Sequence, residues 1–147
     1  VWVLSTVVPE SHIMDNTGNR LAYALAANLF AILPFFIMMI TVGNKRFLSE
    51  AIDPTRHAES AAMEIDGRVT DNTLQQNFVF LVASLTASTV LPFTHLHVIW
   101  AAAIWFVIAR IVFWIGYRID PLYRAPGMSA TAYLNLGLIC YVLYMLS

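Results

Sequence analysis

Apolar positions gather into four long blocks separated by polar stretches. The blocks cover about 21–42, 69–91, 98–117 and 130–147, and the polar stretches between the outer pairs cover 43–68 and 118–129. A helix needs about 20 apolar residues to cross the hydrocarbon core of a bilayer. The pattern therefore predicts an all-α integral membrane four-helix bundle, a single domain over 1–147. Pro34 inside the first block predicts a kink near 30–34, and Asn28 is expected to hydrogen-bond to a neighbouring helix. Pro92 ends the second block. Residues 1–20, with Pro9, Glu10 and Asp15, read as a surface or interfacial strip.

Composition agrees with the blocks. Of 147 residues, 59% are hydrophobic and only 12% charged, where soluble domains carry about a quarter. The expected location is an integral membrane one, either the bacterial inner membrane or an organellar or endoplasmic reticulum membrane. No basic stripe points to nucleic acid. The single cysteine, Cys140, allows no disulfide framework, and Arg56, His57 and Glu59 lack the spacing of a metal site, so no metal is expected.

Charge sets the orientation. Lys45, Arg46, Arg56 and Arg68 flank or fill the first polar loop, and Arg118 and Arg124 the last. Arg20 stands alone on the other side. The positive-inside rule then places loops 43–68 and 118–129 in the cytoplasm and both termini on the non-cytoplasmic side.

One cation breaks the third block. Arg110 lies seven residues before Tyr117, roughly 10 Å inside one end of the span. A mid-span arginine costs roughly 2.5–3.5 kcal/mol on insertion scales and needs a polar partner or a wet cavity. Arg110, Phe113 or Trp114, and Tyr117 share one helical face. At the same depth the second block opens with Arg68, Asn72 and Gln75 or Gln76 at i, i+4 and i+7 or i+8. Two polar faces at one level predict a site there. The plainer reading is an arginine that snorkels to the interface.

These features resemble a known family. Arg68-x-x-x-Asn72-x-x-Gln75, then Arg110-x-x-x-x-x-Gly116-Tyr117 within Ala-Arg-Ile-Val-Phe-Trp-Ile-Gly-Tyr, then Arg-Ala-Pro at 124–126 are similar to the MAPEG family, the membrane-associated proteins of eicosanoid and glutathione metabolism. The resemblance implies a homotrimer with glutathione bound between subunits near the cytoplasmic face and a lipophilic small molecule reaching it from the bilayer. It implies that Arg68, Asn72 and Gln75 stand at glutathione-holding positions, joined by Arg110 and Tyr117. It implies catalytic roles for Arg124, Arg110 and Tyr117, with Arg124 or a hydroxyl such as Ser129 stabilising the thiolate. Three positions depart from the family pattern: Gln75 stands where glutamate is typical, Asp71 where a second basic residue often occurs, and Met128 where some members carry their thiol-activating arginine.

Two functions follow as expectations. One is a membrane-bound glutathione-dependent transferase or peroxidase. The other is a non-catalytic member that binds lipid or serves as an accessory subunit of a larger membrane complex. A small channel fits less well, because the polar residues cluster at one end of the spans.

Overall fold

A computed structural model of the protein describes residues 16–53, 55 and 58–147. The proposed strip over 1–20 falls mostly outside the described residues, as do Arg56 and His57. The elements are α1 (Thr17–Ala31), α2 (Leu33–Phe47), α3 (Ala61–Val90), α4 (His97–Ile119) and α5 (Ala125–Leu146), with short 3-10 turns at Glu50–Ile52, Phe93–His95 and Pro121–Arg124. Helices α1 and α2 are two halves of one membrane-length rod. They part at Ile32, just before Pro34, whose missing N–H cannot continue the ladder.

Each boundary has a local cause. Asn16 caps α1 by accepting from the Gly18 amide at 2.8 Å. Ser60 caps α3 through the Met63 amide, and Glu64 in the first turn suits the positive end of the helix dipole. That cap starts α3 at Ala61, well before the span predicted from 69. The loop expected over 43–68 is thus helical at both ends. Leu91, ahead of Pro92, is extended and stops α3. Arg20 Nη1 then donates to the Leu91 carbonyl at 2.8 Å, fastening the end of α3 to the start of α1.

The last loop needs a larger correction. Residues 118–129, expected as a loop, are helical except around Asp120. Asp120 accepts from the Leu122 amide at 2.7 Å, the 3-10 turn follows, and α5 begins at Ala125 with Pro126 in its first turn.

Packing follows membrane logic, with small residues inside and large apolar ones outside. Ala24, Ala27, Ala31, Ala83, Ala87, Ala102, Ala103 and Ala109 are buried, whereas Leu29, Phe36, Ile37, Ile111, Val112 and Ile115 face outward. Helix α3 touches each of the other four. Its buried stripe includes Thr73, Asn77, Ser84 and Ser88. Asn28 donates to Ser84 Oγ at 2.7 Å, joining α1 to α3. Three stretches are long and apolar enough to cross a membrane: Thr17–Phe47, Phe93–Ile119 and Pro121–Leu146. With α3 completing the four-helix bundle, the chain is an integral membrane protein.

Candidate functional site

Arg110 is fully buried between the two apolar clusters of the bundle. Its Nε donates to Thr131 Oγ1 at 2.9 Å, and Nη1 donates to Asn72 Oδ1 at 2.9 Å. Nη2 donates to the Gly127 carbonyl at 3.1 Å and also to Thr131 Oγ1. The rings of Phe113 and Phe106 flank it, with Cζ 4.6 and 5.9 Å from their centroids. The charge is therefore held by neutral acceptors and π faces. It does not snorkel.

Two glycines make this possible. A Cβ on Gly127 would stand 2.4 Å from the Phe113 amide nitrogen and 2.7 Å from the Ala109 carbonyl oxygen, so α5 reaches α4 only with glycine there. That approach delivers the Gly127 carbonyl and Thr131 to Arg110. A Cβ on Gly116 would stand 2.2 Å from the Tyr123 carbonyl oxygen. The bare Gly116 lets the 3-10 turn fold back onto α4. In consequence Arg124 Nη1 donates to the Tyr117 hydroxyl at 2.9 Å, with its Cζ 5.0 Å from the ring centroid.

In front of Arg110 lies a cavity of about 250 Å³ lined by Arg68, Asn72, Phe113, Tyr117, Arg124 and Met128. Helices α3 and α4, the turn and the start of α5 all contribute. Of the residues singled out in the sequence, Arg68, Asn72, Tyr117 and Arg124 line it. Arg110 stands behind and fixes Asn72. Gln75 is exposed on α3 and does not line it. Ser129 is exposed and outside the lining. Gln76 turns elsewhere, its side-chain carbonyl accepting from Asn135 Nδ2 at 2.8 Å.

Electrostatics separate this cavity from its surroundings. Lys45, Arg46 and Arg118 are each engaged by an acid, at 2.6, 2.6 and 2.8 Å. Arg68 approaches Glu64 only to 4.0 Å, both exposed. Among the described residues Arg124 forms no ion pair, and no carboxylate lines the cavity. The site presents two open cations, an amide, a phenol and an apolar wall. Such a surface is chemically suited to an anion.

Sequence reading missed one feature close by. Asp66 is buried at 1% exposure and binds Lys45 Nζ at 2.6 Å, Arg118 Nε and Nη2 at 2.8 Å each, and Trp114 Nε1 at 3.0 Å. This clasp ties α2, α3 and α4 together two residues from Arg68. Burial acts to raise the Asp66 pKa. The hydrogen bonds from Arg118, Lys45 and Trp114, with the Arg118 charge, outweigh burial and hold the carboxyl well below its ordinary 3.8. Trp114 and Arg118 stand one helical turn apart on α4, but that spacing alone does not mark Asp66 as their shared partner.

His95 Nδ1 lies 2.6 Å from the Tyr141 hydroxyl. Among the described residues no cluster of three His, Cys, Asp or Glu side chains could hold a metal.

No curated protein and no solved structure matches the chain. The family model for MAPEG matches residues 21–144, the whole bundle from early in α1 to near the end of α5, including every lining residue of the cavity. The chain belongs to the MAPEG family.

Proposed function

We propose that the cavity holds a thiol substrate of the glutathione class and that the protein is a glutathione-dependent transferase or peroxidase acting on lipophilic electrophiles. The observation that carries this reading is the meeting of Arg68, Asn72, Tyr117 and Arg124 around one space that no acid lines. Arg68 suits a carboxylate and Asn72 a peptide group. The Tyr117 oxygen accepts from Arg124, which leaves the phenolic hydrogen free to donate to an anion in the cavity. Arg124 beside it is placed to favour a thiolate over a thiol of ordinary pKa about 8.5.

The chemistry asked of the substrate is brief. The thiol proton passes to water, the thiolate forms a carbon–sulfur bond to the electrophile, and the leaving group departs with the bonding pair. The protein binds the peptide, holds the negative sulfur and keeps the apolar wall of Phe113 and Met128 against the lipophilic partner. A homotrimer that places the cavity between subunits at the cytoplasmic face belongs to the same proposal.

Calorimetry on the purified protein in detergent is the test. Glutathione is expected to bind, and Arg124→Ala to lower the rate of conjugation to a chlorodinitrobenzene at least about tenfold, or about 1.4 kcal/mol of transition-state stabilisation. Absence of binding at millimolar glutathione overturns the proposal. A second reading, a non-catalytic lipid-binding member or accessory subunit, draws on two observations: Gln75 lies off the cavity, and a thioether, Met128, lines it. Copurification at fixed stoichiometry with another membrane complex, without thiol chemistry, selects that reading.

A further inference from the structure

Among the described residues no acid lines the cavity, and three of those near it are committed elsewhere. Asp66 is closed in its clasp, Glu59 pairs with Arg46 at 2.6 Å, and Asp120 caps the Leu122 amide. Asp71 borders a separate depression with Arg46 and Thr70, between α2 and α3. Glu64 is exposed and outside the lining, 4.0 Å from Arg68. An ammonium group brought into the cavity would meet two guanidinium groups and no carboxylate. An aliphatic ammonium is strongly hydrated, and losing that water without an acceptor of opposite charge is unfavourable.

We propose that the only charged groups of its ligand that the cavity grips are anionic, so that a thiol peptide without a free amine binds as tightly as one that carries it, or more tightly. This rests on the thiol-site reading above and sharpens it: the recognised class is an anionic thiol rather than a zwitterionic one. The α-amine of glutathione stays in water or is repelled. Asn72, fixed by Arg110, and the guanidinium of Arg68 set the register of the peptide without it.

The experiment compares glutathione with its des-amino analogue, glutaryl-cysteinyl-glycine, by calorimetry on the full chain in detergent. The expected result is that the analogue binds within about threefold of glutathione, or tighter. A loss of about tenfold or more on removing the amine overturns this inference and leaves the thiol site standing, because an acid, from a neighbouring copy or from Glu64, must then face the amine. Glu64→Gln separates those sources: it is expected to leave both affinities unchanged, whereas selective weakening of glutathione also overturns the inference. Arg68→Gln is expected to weaken both ligands alike by about tenfold. If neither thiol binds the wild-type protein, the thiol site itself fails and this inference with it.

Discussion

Two buried charges sit within three turns of each other on or against α4, and they are kept in opposite ways. Asp66 is surrounded by opposite charge, with Lys45 and Arg118 neutralising one carboxylate and Trp114 filling its remaining lone pair. Among the described residues Arg110 has no counter-ion; Thr131, Asn72, the Gly127 carbonyl and two phenyl faces share its hydrogen bonds and its field. The first arrangement is closed and holds helices together. The second is satisfied in hydrogen bonds but not in charge, so positive potential remains behind Asn72. Structural clasp and binding site differ here by that one property.

The sharpest way to break the comparison is Arg110→Met. Thr131 and Gly127 are buried and Asn72 is half-buried, so removing the guanidinium leaves Thr131 Oγ1 without its donor and takes one of two side-chain donors from the Gly127 carbonyl, which keeps the Thr131 hydroxyl. Hydrogen bonds to charged groups contribute about 1.5–3 kcal/mol each, and the expected loss is on the order of 3 kcal/mol in denaturant titration of the detergent-solubilised protein. Gly127→Ala should come next. It must push α5 off Phe113 and draws the Gly127 carbonyl from Arg110, for about 1–3 kcal/mol and a weaker ligand affinity.

Asp66→Asn is expected to cost less, about 1 kcal/mol, because Lys45 and Arg118 are 39% and 44% exposed and can return to water. It should leave ligand affinity nearly unchanged; a loss as large as that of Arg110→Met would erase the distinction drawn here. The smallest effect concerns pH. The folded-state pKa of Asp66 lies below its unfolded value, so the clasp contributes fully above about pH 4 and is lost as pH falls toward the folded value. Thermal unfolding followed from pH 6 downward should show that decline in the wild type and a shallower one in Asp66→Asn.

Arg110 was legible in the sequence because a charge in an apolar run calls for compensation, and its spacing to Tyr117 needs only helical geometry; that it pairs inward instead of snorkelling shows only in the packing. The meeting with Asn72 followed from two polar faces at one depth. Asp66 was not legible. It stands between Glu64 and Arg68 in what reads as a solvated stretch, and its burial depends on partners 21, 48 and 52 residues away. Thr131 looks like an ordinary small residue of the last span until Gly127 brings α5 close. Gly127 itself reads as a loop glycine beside Pro126; only the close helix crossing shows that the missing side chain is its role. Gln75 shares a helical stripe with Asn72 by counting, but small differences in angle leave it facing outward.

The close crossings at Gly116 and Gly127 also bear on how the molecule assembles. Arg110, Phe113, Tyr117, Arg124 and Thr131 all belong to one continuous hairpin, α4 through α5, whose turn spans only a few residues. Short connections lose little chain entropy on closure, so contacts within such a hairpin form ahead of those that need distant segments. The hairpin thus carries Arg110, Tyr117 and Arg124 as one local unit, and α3 completes the cavity from outside it with Asn72 and Arg68.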